Sequence, residues 1–378
     1  MGELILHIGA PKTGTTALQG FLFRNRARLA GYGVHYPAFT DQPGLRTKRN
    51  GIFLQRYCLN KASSLVSRSV SDKGENLERL SQSLSGHERT LITNEEFFVP
   101  QLRILKRGQR FGRYWETVGE VVRAAGARGV TVVVYLRRQD EWAASLWRQS
   151  VKVGQTGKAL GDYCSHALVR HAMDYRSLFE SIEVGLGGAQ IVVRRYNRAS
   201  FEGGDIFHDF CAAVGIPWDD GYDLPNKDRN PSLTFDVAEA LRPFAGVAAP
   251  RSALRQEVVI PLAQRLSRQN PDPPGTNPFD EEMARLLVEP FLAGNEAVAT
   301  RYLDGGPLLS DEYGGRPVWE PDGGRIATCR TTFREVISEY RRAQPPTERL
   351  RGLAYGISEG AKRPVRAMIE KLVQRRTV

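Results

Sequence analysis

Eight consecutive residues near the start of the chain carry the densest chemistry: Gly9-Ala10-Pro11-Lys12-Thr13-Gly14-Thr15-Thr16. Lys12 brings a cation, and Thr13, Thr15 and Thr16 bring hydroxyl donors. Farther along stand the neighbours Glu95 and Glu96, then Arg137 with Ser145 eight residues after it. A cation and hydroxyls on a Gly-rich turn suit phosphate or sulfate. A guanidinium fork with a hydroxyl suits a dianionic phosphate. A carboxylate can take up a proton. These groups work together only if the fold delivers them to one place.

The local patterns say that it does. Leu4-Ile5-Leu6-His7-Ile8 is an apolar run of strand length, and Ala17, Leu18, Phe21, Leu22 and Leu29 recur at helical spacing after the loop. Strand, Gly-rich turn and helix start place several backbone N–H groups and a helix's positive end at one point, which is an anion cradle. Further strands are expected at Gly33–Pro37, Thr90–Asn94, Val130–Leu136 and Gln190–Tyr196. Between them, helices are expected near Gly51–Leu59, Gly74–Ser85, Ala159–Arg170 and Tyr175–Leu186, one carrying Trp142, Leu146 and Trp147, and one through Phe207, Phe210 and Val214. Apolar strands alternating with helices predict an α/β fold with a mostly parallel central sheet flanked by helices on both faces. Ligands of such sheets sit at the C-terminal ends of the strands, where Lys12, Glu95, Arg137 and Tyr196 all fall. Beyond Pro217 the chain turns helical, with helices expected at Leu233–Phe244, Leu254–Arg268 and Asp280–Tyr302. The reading is an α/β domain over 1–303, then a Gly/Pro-rich linker and a basic amphipathic helical extension over 304–378.

Composition bounds the partners. The 378 residues carry a net charge of +11, which favours anionic ones: a nucleotide, an acidic saccharide, a membrane surface or nucleic acid. The four cysteines are widely separated and the six histidines form no H-x-x-x-H cluster, so neither a metal site nor a disulfide framework is expected. No apolar stretch approaches ~20 residues and no signal peptide is read at the start, which makes a cytoplasmic chain the expectation. Arg103, Lys106, Arg107, Arg110 and Arg113 form a basic run without an acid, either a rim for an anionic saccharide or a solvated surface. In 347–378, eight basic residues stand against three acidic ones, while Val365, Met368, Ile369, Leu372 and Val373 share a helical face. That face would pack on the domain, form a homodimer contact, or touch anionic lipid.

The loop is not a standard ATPase loop, in which lysine directly follows the second glycine. Here Thr15 follows Gly14, and lysine comes two residues earlier. The order Pro-Lys-Thr-Gly-Thr-Thr resembles the 5′-phosphosulfate loop of sulfotransferases that use 3′-phosphoadenosine 5′-phosphosulfate (PAPS), and Leu6 to Gln19 resembles the opening of the bacterial carbohydrate-type members. Ile92-Thr93-Asn94-Glu95 is similar to their strand-end Ser-Ser-Glu segment; Asp174-Tyr175, Val193-Arg194-Arg195-Tyr196 and Asn230-Pro231-Ser232 are looser matches. The resemblance covers about residues 3–235, and nothing in it reaches 304–378. One departure is Tyr196-Asn197, where many relatives have Tyr-Glu.

The resemblance implies a P-loop-like fold and sulfuryl transfer from PAPS, leaving the product PAP, without metal. Pro11, Lys12, Thr13, Gly14, Thr15 and Thr16 would hold the 5′-phosphosulfate, and Arg137 with Ser145 the 3′-phosphate. Arg138 competes with Arg137, breaks the spacing and is expected to face outward. Tyr196 would take a minor place beside the cofactor. Lys12 would stabilise the transferred group, and Glu95 would be the base for the acceptor hydroxyl. His35, which also leaves a strand beside the first helix, is the alternative base. His7, inside the first strand, reads as a satisfied core histidine. The acceptor implied is a saccharide or glycolipid hydroxyl rather than nucleic acid. Two other readings stay open: a nucleotide kinase with an atypical loop, and a nucleotide- or polyanion-binding protein without catalysis.

Overall fold

A computed structural model describes residues 2–38, 50–62, 73–98, 112–225, 232–247, 252–303, 306–309 and 315–343. Most of the basic run at 103–113, Asn230-Pro231, the boundary at 303/304 on its C-terminal side and the basic helix of 347–378 lie outside the described residues.

In chain order, β1 (Glu3–His7) leads through the loop into α1 (Thr15–Arg24) and α2 (Arg26–Gly31), then β2 (Val34–His35), α3 (Ile52–Ala62) and α4 (Lys73–Gly86). Next come β3 (Arg89–Thr93), α5 (Gly112–Ala124), β4 (Gly129–Leu136) and α6 (Gln139–Lys152). Three helices follow, α7 (Leu160–Cys164), α8 (Ala167–Ala172) and α9 (Tyr175–Leu186), before β5 (Gln190–Arg195) and α10 (Ile206–Ala213). The remainder is helical: α11 (Phe235–Leu241), α12 (Ile260–Gln269), α13 (Glu281–Val288), α14 (Leu292–Tyr302) and α15 (Gly323–Ala343).

The described residues divide into two compact units: those of Met1–Gln139, Ala167–Lys227 and Val288–Asp311, and those of Asp140–His166, Asp228–Leu287 and Glu312–Val378. The first unit is a three-layer α/β fold. Its five strands are all parallel, in the order β2-β3-β1-β4-β5. Because β1 lies between β3 and β4, successive crossovers run to opposite sides of it, and the ends of β3, β1 and β4 surround the point where strand order reverses. β4 shows why such a strand reads as a continuous apolar run: Val132 to Leu136 are all fully buried, on both faces. One face, Ile5, Leu91, Val133 and Tyr135, packs against Leu18, Phe21 and Leu22 of α1 and Phe207 and Phe210 of α10. Leu4, Leu6, Val132 and Val134 fill the other face. There α5 and α9 approach backbone to backbone: a Cβ on Gly119 would stand 2.0 Å from the carbonyl oxygen of Gly185, and one on Gly185 2.2 Å from the carbonyl carbon of Trp115.

In the second unit, Asp236 of α11 accepts hydrogen bonds from the Trp319 indole at 2.8 Å and the Asp322 N–H at 3.3 Å, and pairs with Arg325 of α15 at 3.1 Å. Buried Arg255 donates to the carbonyl of Phe244 at 2.8 Å, and burial lowers its pKa to about 10. Gly154 (φ +76°) leaves the room for that guanidinium, 2.8 Å from where a Cβ would be.

Several expected helices are shorter than their periodicity suggests. Asp280–Tyr302 is two helices, divided by a 3₁₀ turn at Glu289–Phe291 that carries Pro290. Ala159–Arg170 is likewise two, α7 and α8. The segment expected at Leu254–Arg268 opens with a π-helical stretch, Leu254–Val259. The 21-residue α15 falls within the 304–378 stretch read as linker and basic helical extension, and it buries Ile326, Cys329, Phe333, Val336, Ile337 and Tyr340 at helical spacing.

Candidate functional site

The loop after β1 is a wound turn rather than an open one. The Ile8 N–H still donates to the Val133 carbonyl at 3.1 Å, so the strand holds until the loop begins. Gly9, Lys12 and Gly14 then take positive φ angles of 33°, 70° and 73°. Among the described residues Lys12 is the one non-glycine with positive φ. An L-residue there costs about 1–2 kcal/mol, a strain that concentrates at functional sites. The Thr13 N–H and hydroxyl both donate to the Ala10 carbonyl, at 3.3 and 2.6 Å. Buried Thr13 therefore shapes the loop, and its hydroxyl is spent inside it. Gly14 caps α1 with no side-chain cap, and its carbonyl receives the N–H groups of Ala17 and Leu18. The Thr15 and Thr16 N–H groups precede any intrahelical acceptor and can serve an anion. Thr15 is buried and Thr16 exposed.

Side chains at both glycines would be strained, through their positive φ and close neighbours. A Cβ on Gly9 would lie 2.4 Å from the Thr15 methyl, and one on Gly14 2.8 Å from Ile206 Cδ1. The same construction locates Tyr196: its ring carbon and hydroxyl stand 3.3 and 3.5 Å from the Gly14 position. Tyr196 is carried by the end of β5, where its N–H donates to the Leu136 carbonyl at 2.7 Å, and its ring meets Phe201 edge-on at 5.7 Å. The loop is thus closed on one side by Tyr196 and by Ile206, the first residue of α10. A Gly-rich turn leading into a helix N-terminus beside a lysine is a general setting for anion binding.

Glu95 begins a 3₁₀ turn, Glu95–Phe97, directly after β3. Its Oε2 accepts from Gln19 Nε2 at 3.1 Å, and Gln19 lies buried on α1, the helix that the loop starts. Glu95 and the loop therefore share one helix as support. Asn94 caps the turn, accepting from the Glu96 N–H at 3.2 Å. Glu96 goes elsewhere and acts electrostatically on Tyr114 of α5.

His35 stands apart. In the sheet register it pairs with Thr90, three residues short of the Thr93 that leads to Glu95. Its ring stacks face to face on His87, which precedes β3, with centroids 3.9 Å apart. It therefore lies toward the N-terminal edge of the sheet and is not brought to the loop.

Arg137 follows β4 at the C-terminal edge, half-buried, and its carbonyl accepts the Tyr175 hydroxyl at 2.6 Å. Arg138 does not face outward as its spacing suggests: it is 4% exposed. Ser145 lies on α6, buried, in the second unit. His7 is buried as expected but only half satisfied: Nδ1 is 2.8 Å from the Thr93 hydroxyl, while Nε2 has no partner among the described residues.

Gln19 closes the Leu6 to Gln19 segment, which assigns it no role, and Ile206 lies in no motif. Gln19 falls on the buried stripe of α1 with Thr15 and Leu22, and a polar residue on such a stripe is the signal that could have flagged it.

Among the described residues no group of three or more His, Cys, Asp and Glu side chains is arranged to hold a metal ion, and no helix is long and apolar enough to cross a membrane. No family model matches the chain. An uncharacterized protein from Archaeoglobus fulgidus is 32% identical over 108 residues, a match spanning 27% of this chain and 27% of that protein. The chain is also similar in structure to a sulfotransferase from Alicyclobacillus acidocaldarius, with a TM-score of 0.38 and 13% identity over 65% of this chain and 92% of that one. That likeness is too loose to carry a role for any residue.

Proposed function

We propose that the protein is a PAPS-dependent sulfotransferase acting on a hydroxyl of a saccharide or glycolipid. The observation that carries the reading is the strained Lys12 between two left-handed glycines, with Glu95 held by Gln19 on the same helix. A cation beside helix-start N–H groups, and a carboxylate held by the helix that the loop starts, are the kinds of group that sulfuryl transfer uses. Charge spreading over the transferred group's oxygens needs donors, and the attacking hydroxyl needs a proton acceptor.

Bound at the loop, PAPS would supply the sulfuryl group. The Gly14, Thr15 and Thr16 N–H groups, the Thr16 hydroxyl and Lys12 would hold its 5′ end. Thr13 and Pro11 would fix the loop's shape, and Tyr196 would cover Gly14. Arg137 would meet the 3′-phosphate; its pairing with Ser145 rests on sequence order. Glu95 is the base in this reading, and the position of His35 at the far edge of the sheet favours it over that histidine. A cytoplasmic location goes with this reading.

The test is a thermal-shift comparison of PAP without metal against ATP with Mg²⁺. PAP at a hundredfold its dissociation constant should stabilise the protein by about 2.7 kcal/mol. Stabilisation by ATP–Mg²⁺ alone would replace the reading with a nucleotide kinase. Stabilisation by PAP with no transfer to any of a saccharide panel would leave a binding protein.

A further inference from the structure

Beneath the loop lies a buried imidazole with one nitrogen to spare. His7 is the last residue of β1 and is 1% exposed. Its ring is held edge-on by Phe210 at 5.5 Å and Tyr135 at 6.3 Å. Were Gly9 to carry a Cβ, that atom would lie 3.2 Å from His7 Cε1 and 3.4 Å from Nε2, so this edge of the ring forms the floor under the first glycine of the loop. The other edge faces β3, with Nδ1 2.8 Å from Thr93 Oγ1. The main chain repeats the link, since the Asn94 N–H donates to the His7 carbonyl at 3.2 Å. His7 thus touches the loop on one side and the turn leading to Glu95 on the other.

Counting donors assigns the proton. Were Nδ1–H the donor, the Thr93 hydroxyl hydrogen would need a further acceptor, and among the described residues none is found for it. That arrangement strands a hydroxyl donor and the Nε2 lone pair together. With Thr93 Oγ1–H donating to Nδ1, both groups are served and Nε2–H alone remains over. Burial lowers the His7 pKa to about 3, so the ring is neutral at pH 7 and carries one proton. A buried unpaired N–H costs about 1–3 kcal/mol and is retained where it serves a purpose.

We propose that His7 is a positioning residue: Thr93 fixes its Nε2–H tautomer, and the ring locks the anion loop to the Glu95 turn while presenting a neutral donor beneath Gly9. The choice of ligand, and it alone, rests on the function proposed above. A neutral donor strengthens the cradle's attraction for an anion without adding a charge that would have to be desolvated.

The test uses the full chain labelled with ¹⁵N-histidine. A long-range ¹H–¹⁵N correlation at pH 7, assigned with His7→Gln, should show the Nε2–H pattern for His7. Thr93→Val keeps the shape of that side chain and removes its donor. It should mix the two tautomers and weaken PAP binding about three- to tenfold, the worth of one buried hydrogen bond. An Nδ1–H pattern in the unsubstituted protein overturns the proposal, as does equal PAP affinity in the Thr93→Val variant. Should the unsubstituted protein fail to bind PAP, the sulfotransferase reading falls. The comparison then uses inorganic sulfate, for which equal affinities again overturn the role of His7.

Discussion

Gln19 makes Glu95 a held carboxylate rather than a solvated strand end. Its amide occupies one oxygen at 3.1 Å and fixes the side chain beside the helix that supports the loop. In the proposed transfer, a carboxylate so held would serve as the general base. Glu95→Gln keeps the size and an oxygen for Gln19 but removes the proton acceptor. Turnover should fall by about 10²–10⁴-fold while PAP affinity stays nearly unchanged. The measurement is transfer of label from PAPS to a panel of saccharides. Near-normal turnover in this variant would move the base elsewhere, and His35, stacked on His87 at the opposite end of the strands, is not placed to replace it.

At the scale of elements, the backbone contact of α5 with α9 is the most exacting joint in the first unit. Gly185→Ala would drive a methyl to within 2.2–2.6 Å of the Trp115–Glu116 backbone, and no side-chain rotation relieves a clash with main chain. The helices must separate, at a cost of about 1–3 kcal/mol read from urea midpoints. Gly161 of α7 has open space around its Cβ position. Gly161→Ala should therefore be neutral or stabilising, by up to about 1 kcal/mol. What the sequence discloses follows the same division between local and non-local causes. The five strands and the loop are legible because apolar runs and Gly-rich turns act within a few residues. His35 misleads because its level in the sheet is set by pairing with Thr90, 55 positions away, and no local pattern encodes that register. Arg138 misleads because strand alternation ceases at Leu136, where the loop geometry takes over. The orphan nitrogen of His7 depends on four elements, β1, β3, β4 and α10, and can be found only once they are assembled.

Across the whole molecule, acid is the condition to which buried His7 and half-buried His35 answer. His7 has an ordinary pKa of 6.5 when unfolded and about 3 in the folded chain, lowered by burial. Between those values the unfolded chain binds the proton that the folded chain refuses, so stability rises with pH across that window. The contribution is complete above pH 6.5 and is lost progressively as pH falls toward 3. His35 shifts the same way, through burial and then the charge of His87. At pH 5 the His7 linkage alone amounts to about 2 kcal/mol, from 1.36 kcal/mol per pH unit over the span below 6.5. Two compact units need not unfold together, so the readout should follow the first unit. Hydrogen exchange at Ile5, Leu91 and Val133, measured from pH 7.5 to pH 5 and corrected for intrinsic rates, reports that unit's opening. The free energy of opening should decline across this range. His7→Phe keeps the ring packed against Phe210 and has no proton to bind, so its decline should be markedly shallower even if the variant is less stable throughout. A His7→Phe slope equal to that of the unsubstituted chain would mean that the ring at the end of β1 is not the group through which acid opens the sheet.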